Sequence, residues 1–419
     1  MKAIYLTAIV FLLVACGMQA MEGRACAETA PFMVALSDDL NARASRAIDA
    51  GDYDGAIKIL EDAFAETSFD DELKKLLALA HDTRGWKRVQ AGDLDSALED
   101  FRKAKLVEPE KQATTYMGLG YASFRQKDFD DALYYLFEVV YLDPKFSQAH
   151  ALIGQIYYQR GKLRDAVTEW ELALAGNPGD QEVKALLARA NKELGVEGSF
   201  TKRETYYFNI KYDGEEKRQL GDKVLDIMNA AYSNVNGELG YYPREPINVI
   251  LYTRKQFTDL TDAPAWSGGV FDGNIRVPVG GGNIDQTTLA AVLHHEYTHA
   301  VVHMIVGHGL PTWLDEGIAQ YEEHWVRTPR QTISSNVLIP LSALSGSFMG
   351  IGDTAGAELA YSESLSAVNY YIDRFGIYSL TKMLKLMGEG KSLSDAMDDA
   401  AGVTLEDFEK LWESSVKGG

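Results

Sequence analysis

The sequence predicts a chain in two parts, an all-α solenoid of helical hairpins followed by an α+β domain, and three observations carry that prediction. A short signature recurs four times between residues 51 and 166. A strand–helix–strand pattern begins only after residue 200, and a long apolar helix around residue 295 carries His and Glu where aliphatics belong.

The amino terminus comes first. Met1-Lys2 precedes an apolar run from Ala3 to Ala15, too short to span a bilayer comfortably and suited to the core of a signal peptide. Export is the expectation, with residues 1–15 as signal peptide and 16–36 as linker. Leu13-Val14-Ala15-Cys16-Gly17 resembles a bacterial lipobox, which implies lipidation of Cys16 and a lipid anchor at the periplasmic or outer-membrane face of the cell envelope. The competing cut, at Ala25-Cys26-Ala27, would release a soluble chain; the lipobox is favoured because it directly follows the apolar run. No cysteine follows Cys26, so no disulfide framework can hold either domain, and any metal must be held by nitrogen and oxygen.

Residues 37–195 form the solenoid. Gly51-Asp52-Tyr53-Asp54-Gly55-Ala56, Gly92-Asp93-Leu94-Asp95-Ser96-Ala97, Lys127-Asp128-Phe129-Asp130-Asp131-Ala132 and Gly161-Lys162-Leu163-Arg164-Asp165-Ala166 recur at intervals of 41, 35 and 34. Leu119-Gly120 and Ile153-Gly154 precede in phase, and Pro109, Pro144 and Pro178 follow as helix-ending signals. The pattern resembles the tetratricopeptide repeat, with a first interval longer than the family period and a capping helix expected over Val183–Leu194. The resemblance implies a protein-interaction module; a spacer lifting the second domain from a membrane is the alternative. Gly195 to Ser199, short and glycine-containing, is the expected boundary, and 200–419 the second domain.

In that domain Tyr206–Ile210 and Ile247–Tyr252 read as strands flanking an amphipathic helix over Glu215–Leu239, and Trp266–Val277 reads as a hairpin with an Asp-Gly or Gly-Asn turn. The helix Thr287–Val306 follows, with Asp285 or Thr287 as N-cap and Gly307 ending it. It contains His295-Glu296-Tyr297-Thr298-His299. Residues four apart share a helix face, so His295 and His299 can ligate one metal ion while Glu296 reaches a water beside it. His294, His303 and His308 read as bystanders. A second helix across Trp313-Leu314-Asp315-Glu316-Gly317 supplies Glu316; two imidazoles and one carboxylate are a known ligand set for catalytic zinc.

These residues resemble the gluzincin metallopeptidases, closest to peptidase-MA-like domains, over about Thr201–Gly419. The resemblance implies one Zn2+ per chain held by His295, His299 and Glu316, and Glu296 as general base in peptide-bond hydrolysis by zinc-activated water. Asp315, beside Glu316, reads either as a residue that orients a ligand or as a solvated helix-start acid; the resemblance also implies Tyr361, in Ala360-Tyr361-Ser362-Glu363-Ser364, as oxyanion donor at the opening of a helix. The strand before the motif helix lines the cleft in such enzymes, which makes Ile275–Pro278 the candidate for substrate strand addition. The G-A-M-E-N signature of aminopeptidase N relatives is absent, which counts against specificity for a free amino terminus.

Arg327 to Gly352 reads as a long loop over the cleft, a lid in one reading. The remainder is helical, with Leu393, Met397 and Ala400 on one face and Leu405, Phe408 and Leu411 on the next. Lys plus Arg number 41 against 61 acidic residues and no basic cluster tracks along a face, so nucleic-acid binding is not expected. The expectation is an exported zinc metallopeptidase with a protein or peptide substrate and a protein partner on the repeats. The alternatives are a catalytically silent lipoprotein scaffold and hydrolysis of a non-peptide amide.

Overall fold

The computed structural model describes residues 39–66, 71–108, 112–214, 218–261, 263, 267–280, 285–307, 309–327, 338–346, 348 and 354–418. The expected signal peptide, linker and Cys16 lie outside these residues, as do His308 and most of the loop expected between Arg327 and Gly352. Two compact units divide the chain, one running through Ile153 with Ala175–Pro178, the other Gly154–Leu174 with Gly179–Gly419.

The first unit is a run of helices: α1 (39–49), α2 (Tyr53–Glu66), α3 (Asp71–Ala91), α4 (Leu94–Val107), α5 (Ala113–Arg125), α6 (Phe129–Leu142) and the start of α7 (Ser147–Gln159). The recurring signature has a physical reason at each position. Its first residue turns the chain through the left-handed region, with φ of 76° at Gly51, 82° at Gly92 and 60° at Lys127. The Asp that follows caps the next helix: Asp52 accepts from the Gly55 N–H (2.9 Å), Asp93 from Ser96 (3.2 Å) and Asp128 from Asp131 (3.3 Å). The closing alanines Ala56, Ala97 and Ala132 are fully buried where helices meet. A Cβ at Gly85 or Gly120 would lie 2.8 Å from the Phe101 ring or 2.9 Å from Leu136, so each glycine seats the large side chain sixteen residues on. Buried Asp100 ties α4 to α3 through His81 (3.2 Å), Arg84 (2.9 Å) and Arg88 (2.8 Å).

The second unit contains the end of α7, most of α8 (Leu163–Gly176), α9 (Gln181–Glu197) and a five-stranded sheet of order β1-β2-β3-β5-β4. β1 (Thr201–Glu204) and β4 (Val270–Phe271) are antiparallel edges around parallel β2 (Phe208–Tyr212), β3 (Ile247–Thr253) and β5 (Ile275–Gly280). α9 runs on through Gly195 and Val196, where a domain boundary was expected, because Val196 packs against the sheet. β3 is buried on both faces: Ile247, Val249 and Leu251 join the main core, whereas Ile250 and Tyr252 pack with Phe257, Val196 and Phe200. One expectation is corrected here. Ile275 and Arg276 pair with β3 on one side and β4 on the other, so this half of the candidate Ile275–Pro278 is interior and the edge beside it belongs to β4, whereas Val277 and Pro278 pair with β3 alone among the described residues.

The main core is covered by α10 (Arg218–Leu239), α12 (Gln286–Val306), α13 (Thr312–Glu322), α14 (Thr354–Phe375), α15 (Ile377–Gly388), α16 (Leu393–Ala401) and α17 (Leu405–Gly418), with α11 (Arg254–Leu260) following β3. Asp285 caps α12 by accepting from the Thr288 N–H (3.0 Å), and Gly307 (φ 78°) ends it. α14 begins at Thr354, so Tyr361 lies about two turns inside a helix rather than at its opening. On α17 the buried anchors are Phe408 and Trp412, and Leu411 faces outward. Within the expected loop, Leu341, Leu344 and Phe348 are buried in the core, and Ile339 N–H donates to Glu363 (2.9 Å).

Candidate metal centre

α12 presents His295 and His299 one turn apart, and α13 crosses it to present Glu316. The two Nε2 atoms are 3.2 Å apart, and Glu316 Oε2 lies 3.4 Å from His295 Nε2 and 3.7 Å from His299 Nε2. A tetrahedral ion with bonds of about 2.0–2.1 Å holds its ligand atoms ~3.3–3.4 Å from one another, so this triangle fits one ion. Glu316 Oε2 is buried and has no hydrogen-bond partner among the described residues, which is the deficit a cation would fill.

The other nitrogen of each imidazole is held from outside the triangle. His295 Nδ1 donates to Glu323 Oε1 (3.0 Å), and Glu323 is also bound by Arg327 Nε (2.7 Å). His299 Nδ1 donates to Asp315 Oδ1 (2.8 Å), whose second oxygen accepts from His303 Nε2 (2.8 Å). Both rings are thereby oriented with Nε2 toward the common point. Asp315 is an orienting residue rather than a solvated helix-start acid, and His303, expected to be a bystander, is its second partner. Glu323 was not singled out in the sequence, yet a signal exists: Glu316, Gln320 and Glu323 follow a helical i, i+4, i+7 spacing on one face.

Charge in the cluster is unusual. Burial alone would lower the His299 pKa, but Asp315 and Glu316 override it and lift it to about 9. His295 is likewise lifted well above the ordinary range, burial being outweighed by Glu316 and Glu323. Burial raises the Glu296 carboxyl, and Glu316 and Asp315 push the same way while the two imidazoles oppose. His299 and His303 hold the Asp315 carboxyl well below its usual range despite burial.

A cavity of about 340 Å³ opens onto these groups, lined on one side by Ser267–Phe271 of the β4 edge and on others by Val292, Gln320 and Tyr361. Glu296 faces this space against Gly269, where a Cβ would lie 2.9 Å from Glu296 Oε1; glycine there makes room for the carboxylate. A Cβ at Gly268 would meet Val292 at the same 2.9 Å. Tyr361 lines the cavity too, its phenol pushed up by burial and by the Glu316 and Glu296 charges. Gln320 Nε2 donates to the Tyr361 carbonyl (2.9 Å) and to that of Glu316 (3.2 Å), joining α13 to α14 beside the ligand. His294 is buried away from the cavity, with Nδ1 donating to the Ala290 carbonyl (2.9 Å). The geometry therefore gathers His295, Glu296, His299, Glu316 and Tyr361 at one cavity.

Residues 229–418 match the Peptidase MA superfamily. Tetratricopeptide repeat models match residues 83–150 and 123–190, so a helical repeat region of the kind that serves protein–protein interaction precedes the stretch that matches the Peptidase MA superfamily. Over 131 residues the chain is 27% identical to small glutamine-rich tetratricopeptide repeat-containing protein 2 of Mycosarcoma maydis. That match covers 31% of this chain and 36% of the relative, so the chain spans about a third of the length of the curated relative it matches. Among solved structures, the crystal structure of MamA is 20% identical with a TM-score of 0.30, over 36% of this chain and 85% of that one. The Cut9–Hcn1 hetero-tetramer of the APC/C is 22% identical with a TM-score of 0.28, over 36% and 29%.

Proposed function

We propose that the peptidase MA domain is a zinc-dependent peptidase and that the repeats bind a protein partner. The observation that carries the reading is the buried Glu316 Oε2, without a hydrogen bond among the described residues, facing two imidazole Nε2 atoms, with Glu296 beside them on an open cavity. His295, His299 and Glu316 would hold the ion. When bound, zinc polarises a carbonyl and makes water a better nucleophile at neutral pH.

The remaining work falls to this chain's own side chains. Glu296, whose basicity is raised by burial, takes the proton of the attacking water on a carboxylate oxygen and returns it to the leaving nitrogen. The Tyr361 hydroxyl, protonated at neutral pH as any tyrosine is and held so more firmly by burial and the nearby carboxylates, donates to the oxyanion that develops on the carbonyl. An extended peptide adds along the β4 edge, where backbone N–H and C=O groups orient the scissile bond. Export and lipid attachment at Cys16 rest on the amino-terminal pattern, and the mass of the mature chain tests them.

Zinc stoichiometry and cleavage of a mixed peptide library, compared between wild type and Glu296→Gln, test the reading. One zinc in both proteins, with cleavage by wild type and a loss of roughly 10²–10⁴-fold in the variant, supports it. Absence of stoichiometric zinc from wild type overturns the ligand set. Zinc without cleavage by wild type favours the silent scaffold.

A further inference from the structure

The turn between β4 and β5, Asp272-Gly273-Asn274, is held from the helical side of the second unit rather than by the sheet alone. Asp272 accepts from Arg276 Nε (3.0 Å) and is also paired with Arg189 of α9. Arg276 is fully buried, and its guanidinium binds the Glu193 carboxylate of α9 (2.9 Å), the Tyr252 hydroxyl of β3 (2.6 Å) and the Tyr158 hydroxyl at the end of α7 (3.1 Å). Glu197, at the end of α9, is bound by Tyr252 and by Lys211 (2.9 Å). The other end of the turn is tied as well: Asn248 Nδ2 donates to Asn274 Oδ1 (2.8 Å) and to the carbonyl of Gln159 (2.6 Å), and Asn248 Oδ1 accepts from Asn209 (3.2 Å).

The strand leaving this turn toward the amino terminus is β4, whose Val270 and Phe271, with Gly268 and Gly269, line the cavity. Among the described residues β4 pairs with β5 at two positions, Val270 with Arg276 and Phe271 with Ile275, a short ladder that fixes it weakly. One of those two partners is the guanidinium hub itself.

We propose that Asp272, Arg276 and the α9 carboxylate Glu193 are positioning residues for the substrate edge: helix α9, within the second unit, sets where residues 267–271 stand relative to Glu296. The inference deepens the peptidase reading and rests on it for the identity of the edge as the substrate strand's partner. A fully buried cation whose hydrogen bonds all end on side chains from four elements has one low-energy placement, so the turn it grips does too. An ordinary core anchor would stabilise the whole unit evenly. A positioning anchor changes the lip and spares the metal ligands, which stand on α12 and α13.

Asp272→Asn is the working variant, because Asp272 is partly exposed at the turn and Arg276 substitutions risk unfolding. Amide hydrogen exchange across 267–272 and across α12 is compared in the full chain, with zinc stoichiometry and with the dissociation constants of acetohydroxamate and of a zinc-directed tetrapeptide hydroxamate. We expect exchange over 267–272 to rise about tenfold with α12 unchanged, zinc still one per chain, and tetrapeptide binding about tenfold weaker while acetohydroxamate is unaffected, with partial recovery in Asp272→Glu. Unchanged exchange at the lip, or acceleration spread equally over α12, overturns the proposal. If wild type binds neither zinc nor hydroxamate, the peptidase reading fails by itself, and the exchange comparison still decides whether the helix controls the lip.

Discussion

Glu323 Oε1 lies 3.0 Å from His295 Nδ1, and that contact fixes the ring of one of the three residues facing the candidate ion. Glu323 sits on the 3-10 turn Glu323–Trp325 that ends α13, the helix that carries Glu316. Trp325 Nε1 and the Tyr321 hydroxyl both donate to Glu238 of α10 (3.0 and 3.1 Å), which pins this turn to the core. One short segment thus carries a ligand candidate and the partner of another.

Glu323→Gln is expected to weaken zinc binding by roughly 10–100-fold while the fold is retained, since the ring keeps its place less well and its Nε2 becomes a poorer donor. Competition with a chromogenic chelator measures this. An unchanged affinity would show that His295 is oriented without Glu323.

Gly269→Ala places a methyl group 2.9 Å from Glu296 Oε1 and 2.9 Å from its Cγ. The carboxylate or the lip must shift. Peptide cleavage is expected to fall at least tenfold, a loss of about 1.4 kcal/mol in transition-state stabilisation, with zinc content unchanged. Steady-state rates beside metal analysis separate this from loss of the ion.

Zinc binding should strengthen as pH rises toward 9. His299, with a pKa of about 9, is protonated below that pH, and an imidazolium cannot ligate, so each bound ion displaces a proton. Apparent affinity is expected to rise about tenfold per pH unit for each proton displaced between pH 6 and 8. Chelator competition across that range checks the slope; a flat profile contradicts the charge state derived for the cluster.

Asp100 governs the acid limb of the repeat region. Burial pushes its carboxyl up, but hydrogen bonds from His81 and Arg84 and the charges of Arg84 and Arg88 bring its pKa down to about 2. A depressed pKa contributes stability that is fully present above about pH 4 and is lost as pH falls toward 2. Asp100→Asn should remove up to about 2 kcal/mol at pH 7 and little at pH 2. Native-state hydrogen exchange of α3 and α4 gives the comparison.

Lys127 occupies with φ of 60° the position that Gly51, Gly92 and Gly161 fill in the other repeats. Lys127→Gly relieves the left-handed strain, offset in part by greater freedom of the unfolded chain. A gain of about 0.5–1 kcal/mol is expected from urea denaturation.

Much of this architecture was legible because local rules repeat. The helical hairpins announced themselves through a left-handed turn residue, a capping Asp and a buried Ala, each satisfying a local demand of the backbone. Gly85 stands in phase with Gly120 and Gly154, each seven residues before a signature. In each pair the reason lies sixteen residues away, at Phe101, Leu136 and Trp170. The motif helix and its cap were readable for the same local reason, and α14 began earlier than expected because residues before Ala360 continue the helix.

The sequence by itself determined the repeat solenoid, the strand–helix–strand run that became β2, α10 and β3, and the residue types able to hold an ion at His295, His299 and Glu316; the edge strand β1 and the short helix α11 were not read from it. Periodicity and side-chain chemistry act over a few turns of chain, and these features need no more. Only the tertiary structure decided which strand forms the cleft edge, since pairing order depends on how β4 folds back over β5 and not on the composition of either. It also decided that Asp315 and Glu323 orient the imidazoles and that α9 grips the lip through Arg276. Those relationships join residues far apart in the chain, and burial without water leaves each charge only the partners that packing brings to it.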